Sequence, residues 1–337
     1  MINLNTTYMG IPLKNPVIVG SCNLSIDDKT LRKIEEAGAA AVVYKSLFEE
    51  QIQLENLKMG NQLDEFNERH AEMTSLFPNI DHAGPEEYLF NLARIVKMLN
   101  IPVLASLNAI HVDTSTEYAK KIEDMGVAGL ELNFYADNIN METSGHDVIM
   151  AQVEAAQAVI NTVKMPVAVK LSPFYSNILN VVKKFDNLGV KGFVLFNRLF
   201  QPDFDLDREI HHFPYNLSHP EDNRLPLRYA GLLYSKVNGS ICANTGIFSG
   251  NDVIKMILAG ADTVQVVSTL YKNKVDVIAE ILSEMKQWME SKNYSSLSDF
   301  RGKLSAVNSK DMFAYKRAQY IDILMKSEDI FRKYPSV

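Results

Sequence analysis

Eight short apolar runs, rich in β-branched residues, recur along this chain of 337 residues, at 16–22, 41–47, 102–108, 129–136, 166–172, 192–197, 240–246 and 263–270. Their near-continuous hydrophobicity suits strands covered on both faces, as in a parallel sheet. Between and after them lie segments with apolar residues at helical spacing, at 27–37, 85–99, 115–125, 146–163, 176–188, 228–237, 251–258 and 274–288. The first shows the pattern. Leu31 and Ile34 repeat beside Lys29, Arg32, Lys33 and Glu35, and Gly38 sits where a helix stop is expected. Strand–helix alternation repeated eight times predicts an α/β fold, a (β/α)8 TIM barrel. A doubly wound open sheet competes, but the even count and the lack of a Gly-x-Gly-x-x-Gly turn after the first strand disfavour it.

Two strand-to-helix connections are long, 48–84 after strand 2 and 198–227 after strand 6. Both lie on the side where barrel enzymes keep their chemistry. After the eighth helix, Met312, Tyr315, Ala318, Ile321 and Leu324 recur at roughly helical spacing within 310–331. The expected organisation is therefore a barrel over 1–305 and a helical extension over 306–337, packed on the barrel or used as an oligomer contact.

The formal net charge of −7 argues against nucleic acid as the main partner. No apolar run approaches the ~18 residues of a membrane helix, and the start Met1-Ile2-Asn3-Leu4-Asn5 lacks the basic and apolar stretches of a signal peptide. Two distant cysteines, Cys22 and Cys242, fit a reducing, cytoplasmic setting and exclude a disulfide scaffold or a four-cysteine zinc site. No metal is expected: His211 and His212 are adjacent, without a partner at i,i+4 or a carboxylate triad. All seven histidines fall in strand-to-helix connections, which predicts a polar, lid-covered face.

In a barrel the C-terminal strand ends form the active face. Here every expected strand ends in polar groups: Ser21 and Cys22; Lys45 and Ser46; Ser106 and Asn108; Asn133; Lys170 and Ser172; Asn197 and Arg198; Asn244 and Thr245; Ser268 and Thr269. Lys45 and Lys170 emerge from apolar runs. A lysine at the mouth of a barrel needs an anionic or polarised partner, because burying it unpaired is costly. Glu131 is the main protein carboxylate that could serve. The turn Asn244-Thr245-Gly246-Ile247-Phe248-Ser249-Gly250 feeds a helix, and Ser268-Thr269 follow strand 8. Turns at this place in a barrel present N–H groups and hydroxyls to phosphate. Such a grip, with two mouth lysines, suits flavin mononucleotide (FMN); a phosphorylated sugar substrate would use the same grip.

Several motifs in order are similar to the dihydroorotate dehydrogenase family, soluble class 1 branch, over roughly residues 1–305. They are Asn15-Pro16 with Gly20-Ser21, Tyr44-Lys45-Ser46, Glu131-Leu132-Asn133, Val169-Lys170-Leu171-Ser172-Pro173, Thr245-Gly246-Ile247 with Ser249-Gly250, and Ser268-Thr269-Leu270. The resemblance implies an FMN-binding barrel acting on a small-molecule substrate. It implies that Ser21, Lys45, Ser46, Ser106, Asn133 and Lys170 line the isoalloxazine and ribityl chain. Gly246, Ser268 and Thr269 then hold the phosphate, and Asn133, Asn138 and Asn197 bind the pyrimidine. It further implies a homodimer. An iron–sulfur relay, if used, must come from a separate electron-transfer partner, since no cysteine-rich motif is present.

The chain departs from the family where the substrate sits. Ala136 stands where the family has a cysteine or serine base, in Asn133-Phe134-Tyr135-Ala136-Asp137-Asn138. Met73 replaces a further asparagine, and the glycine pair expected after strand 6 is absent. Oxidation of a dihydropyrimidine needs a base for the C5 proton, and loss of a base costs about 10²–10⁴ in rate. Tyr135, beside the vacant position, is the first substitute; Cys22, Asp137, Ser144 and His146 are weaker ones. A flavin-holding barrel with a different substrate or little turnover stays open.

Overall fold

The computed structural model describes residues 2–54, 84–108, 111–135, 140–212, 214–311, 313–326, 328 and 332. Its centre is a closed barrel of eight parallel strands, each paired with its neighbours in chain order. They are β1 (Val17–Val19), β2 (Ala41–Phe48), β3 (Val103–Asn108), β4 (Gly129–Asn133), β5 (Val167–Leu171), β6 (Gly192–Leu195), β7 (Ser240–Asn244) and β8 (Thr263–Val266). The helices between and after them are α1 (Asp28–Glu36), α2 (Pro85–Met98), α3 (Val112–Asp124), α4 (Gly145–Thr162), α5 (Ile178–Asn187), α6 (Arg224–Leu233), α7 (Gly250–Ala259) and α8 (Val277–Ser291).

Side chains alternate along each strand, so the barrel has two apolar zones and a polar top. Outward residues such as Val42, Leu130, Val169 and Val264 are buried under the helices, which contribute Leu31, Ile34, Leu92, Phe185 and Ile281. Inward residues Ile18, Val43, Leu104, Ala168, Val194 and Cys242 form a separate inner cluster. An N-terminal hairpin, Thr6–Tyr8 paired with Ile11–Leu13, pushes Tyr8, Met9 and Leu13 into its lower end. Above that plug, the inward positions become Glu131, Asn133, Lys170, Asn244 and Gln265, all buried.

One strand breaks the alternation. The β2–β3 register shifts between Val43 and Ser46, the mark of a bulge with one extra residue. Strict alternation would turn Val43, Lys45 and Leu47 inward together. Instead Ser46 meets Ser106 across the register, and Leu47 joins the outer core.

The fold differs from expectation in three places. Strand 8 ends at Val266, and Ser268–Asn273 is a short helix. α6 begins at Arg224 rather than 228; proline is tolerated in a first turn, so Pro226 does not delay the helix. The C-terminal helix is described over Ala318–Met325, with no buried residue there. Tyr315, just before it, is tied to the barrel: its hydroxyl donates to the Leu304 carbonyl at 2.7 Å, and Arg228 donates to its carbonyl at 3.1 Å. Met312 lies outside the described residues, as does 55–83 of the connection after β2. Within the connection after β6, Asp203–Asp205 pairs with Ile210–His212 as a hairpin that the sequence did not announce.

Candidate active site

The strand ends form a continuous polar network around the mouth. Ser46 Oγ lies 2.7 Å from Ser106 Oγ and 3.2 Å from Ser21 Oγ. Asn133 donates to Ser46 Oγ at 3.5 Å, and Asn197 donates to the Asn133 amide oxygen. Five expected site residues, from β1, β2, β3, β4 and the end of β6, are thus linked into one arc. Lys170 is the register neighbour of Asn133. Its ammonium group is buried, 3.7 Å from Glu131 Oε1, and makes no hydrogen bond among the described residues. Gln265 donates to Glu131 Oε2 at 2.6 Å. Lys45 is the half-buried bulge residue; burial pushes its ammonium group below the ordinary range, with Glu87 opposing only part of that shift.

The residues expected to hold a phosphate lie around the turn after β7 and the start of the helix after β8. Four N–H groups at the start of α7, those of Phe248, Ser249, Gly250 and Asp252, are satisfied within the protein. Asp252 accepts from Phe248 and Ser249 at 3.1 Å, Ser249 Oγ accepts from Asp252 at 3.3 Å, and Glu284 accepts from Gly250 at 2.6 Å. The Gly246 turn lies one turn earlier and is bound to the connection after β6. Gly246, at φ +73°, donates to Ser218 Oγ at 3.2 Å, and the Ser218 N–H donates to Ser268 Oγ at 2.8 Å. Lys272 fixes the Ser218 carbonyl at 2.9 Å. Ser268 opens a helix that has no capping side chain. Thr269 lies beneath it, fully buried, accepting from Asn273 at 3.1 Å.

Ser21, Lys170, Asn197, Gly246 and Ser268 line one cleft of about 180 Å3 at the mouth. Arg198, Ser218, Asn244 and Gln265 line it too. The sequence had a usable signal for Gln265, an amide alternating inward from Thr263 in an apolar strand. Ser218 had none, because its position depends on how the long connection folds back. A larger cleft of about 600 Å3 adjoins, sharing Asn197, Arg198 and Thr245 and running between Phe174 and the start of α6. Arg198 is held there by Asp222 at 2.7 Å and Asn216 at 2.9 Å.

Among the proton-acceptor candidates, the Tyr135 hydroxyl accepts the Phe200 N–H at 3.0 Å, tying it to the connection after β6. Cys22 is half-buried, and burial pushes its thiol up, partly offset by Lys170. Ser144 and Asp147 cap α4, and His146 sits exposed in its first turn. Ala136, Asp137 and Asn138 lie outside the described residues, as do Met73, His70 and His82. None of the five described histidines lines either cleft. Among the described residues no group of three histidine, cysteine or acidic side chains could hold a metal, and no helix is long and apolar enough to cross a membrane.

Comparison with known proteins decides between the two ligands left open by the phosphate grip. The family model for dihydroorotate dehydrogenase matches residues 3–289. The chain belongs to the dihydroorotate dehydrogenase family. Similar curated proteins include the catalytic subunit of dihydroorotate dehydrogenase B (NAD(+)) of Thermoplasma volcanium, 26% identical over 309 residues, covering 90% of this chain and 98% of that protein. The catalytic subunit of Thermoplasma acidophilum is 26% identical over 310 residues, with 90% and 99% covered. That of Methanocaldococcus jannaschii is 26% identical over 304 residues, with 86% and 94% covered. As a dihydroorotate dehydrogenase family member, the chain is an FMN-dependent oxidoreductase acting on CH–CH bonds. The mouth fits that cofactor. Among the described residues the buried acceptor Gln265 Oε1, on a residue that lines the cleft, has no hydrogen-bond partner, and the Lys170 ammonium group has donors to spare for an electron-rich ring edge.

Proposed function

We propose that this chain transfers hydride between a dihydropyrimidine-like substrate and FMN, and that its electrons leave through a separate electron-transfer subunit. The observation that carries this reading is Lys170, a buried cation beside the Asn133–Asn197 amide pair, with its only ion pair at 3.7 Å among the described residues. When bound, FMN supplies the hydride chemistry. Lys170 and Lys45 place positive charge at the mouth, favouring negative charge on a bound ring. Ser21, Ser46, Ser106 and Asn133 orient that ring. Gly246 and Ser268, with Thr269 beneath, hold the phosphate. Asn133 and Asn197 direct amide groups to the pyrimidine, and Asn138, outside the described residues, joins them by the resemblance alone.

The proton at the substrate's C5 needs an acceptor that Ala136 cannot provide. Tyr135 takes that role in this reading, held in place by the Phe200 N–H at 3.0 Å. Cys22 is a poorer choice, because burial favours its neutral thiol. The catalytic-subunit names of the Thermoplasma relatives support a second subunit. The two cysteines of this chain are too few to hold an iron–sulfur cluster themselves.

Anaerobic stopped flow with dihydroorotate and dihydrouracil tests the reading. Bleaching of the flavin by one of them supports it. Flavin that stays oxidised with every dihydropyrimidine favours instead a flavin-holding protein with little turnover, the alternative that Ala136 supports.

A further inference from the structure

Glu131 occupies an unusual place for a carboxylate. It is 1% exposed, on the inner face of β4, one layer below Asn133. Its Oε2 accepts from Gln265 of β8 at 2.6 Å. In a closed ring of eight strands, β4 and β8 face each other, so this hydrogen bond spans the lumen. Beneath it lies the apolar layer of Leu104, Ala168, Val194 and Cys242. Above it stands the Lys170 ammonium group, 3.7 Å from Oε1, and among the described residues Oε1 accepts no hydrogen bond.

A buried carboxylate is costly unless a cation compensates it, and an apolar side chain would close the lumen without that cost. Closing the barrel therefore does not explain the charge. Gln265 occupies one carboxylate oxygen and leaves the other directed at Lys170. We propose that Glu131 is a positioning residue whose carboxylate, set across the barrel by Gln265, holds the Lys170 ammonium group in place and limits how much positive field would reach a flavin bound at the mouth. The proposal rests on the FMN-dependent reading of the same site.

The sign follows from electrostatics. Lys170 stabilises the electron-rich, reduced flavin, and Glu131 offsets part of that stabilisation. Glu131→Gln keeps the shape and the Gln265 contact site but removes the negative charge, so the reduced state gains. Gln265→Met keeps both charges but releases Oε2, which lets the carboxylate close on Lys170, so the reduced state loses.

The test is the flavin midpoint potential of the FMN-loaded protein, measured by anaerobic dye equilibration. For Glu131→Gln the expected change is about tenfold in the reduction equilibrium, about 30 mV more positive for a two-electron couple. Gln265→Met shifts it the opposite way. A potential unmoved in both variants, or moved in the same direction, overturns the proposal. Should Glu131→Gln fail to fold, Gln265→Met decides alone: an unchanged or more positive potential refutes it. A wild-type protein without FMN overturns this proposal together with the functional reading. An FMN-loaded protein whose potential ignores both substitutions overturns this proposal only.

Discussion

Replacing Gly246 by alanine tests the proposal that its turn helps hold the FMN phosphate. Gly246 has φ +73°, and a Cβ placed there meets the Asn223 backbone nitrogen at 2.4 Å and the His219 carbonyl oxygen at 2.9 Å. Both atoms belong to the connection that carries Ser218. The left-handed backbone costs a non-glycine residue roughly 1 kcal/mol, and forcing the connection outward costs about 1–3 kcal/mol more. With unfolding entropy near ~2.1 cal/mol/K per residue, a loss of about 3 kcal/mol lowers the melting temperature of a chain this long by about 4 °C. The same displacement pulls Ser218 from the Gly246 N–H and from Ser268, so FMN affinity falls about tenfold, the worth of one good hydrogen bond. Thermal melts by circular dichroism and titration of apoprotein by quenching of FMN fluorescence read the two effects. Gly10→Ala is the control. Gly10 has φ +83° in the turn of the N-terminal hairpin, with nothing within 4 Å of a new Cβ. It should lose only the backbone part, about 1.5 °C, and keep its FMN affinity. Equal effects from the two substitutions would show that the Gly246 turn does not shape the cofactor site.

Tyr135→Phe should slow flavin reduction by substrate about 10²-fold, without altering the flavin spectrum, in anaerobic stopped flow; an unchanged rate removes Tyr135 as the proton acceptor. Lys170→Met leaves Glu131 buried without its cation and should cost about 3–5 kcal/mol in denaturant unfolding. Lys170→Met combined with Glu131→Gln should regain most of that loss, and a double variant no more stable than Lys170→Met contradicts the pairing. The Lys120 ammonium group, with the Lys164 and Met165 N–H groups, holds the Glu123 carboxyl down at about 2, below its ordinary 4.5. That stability is present above pH 4.5 and drains away as pH falls toward about 2. Glu123→Gln should flatten the pH dependence of unfolding across this window, and an unchanged slope would assign the acid sensitivity elsewhere.

The barrel was legible because its signals are local and periodic. Apolar runs such as Val167-Ala168-Val169 and stop residues such as Gly38 mark elements wherever they fall in the chain. The strand-end rule also brought Ser21, Ser46, Ser106, Asn133 and Asn197 into one hydrogen-bonded arc. What escaped depends on long-range packing. The bulge at Lys45 inserts one residue that no composition reveals, yet it decides that Ser46 faces inward. The helix at Ser268 continues an apolar run that reads as strand, because Val266-Val267 and Leu270 suit either element. At the start of α7, Glu284 arrives from α8 to take the Gly250 N–H. Such tertiary competition for a helix terminus is invisible in a turn motif. Ser218 and Arg198 became site residues only through the folding of the connection after β6.

The decisive measurement is the identity and amount of chromophore carried by the purified protein. Denatured protein should release FMN, close to one per chain, and Lys170→Met together with Lys45→Met should purify largely without it. A colourless wild-type protein that neither releases nor takes up FMN, though folded, would contradict a flavin held at the mouth of this barrel.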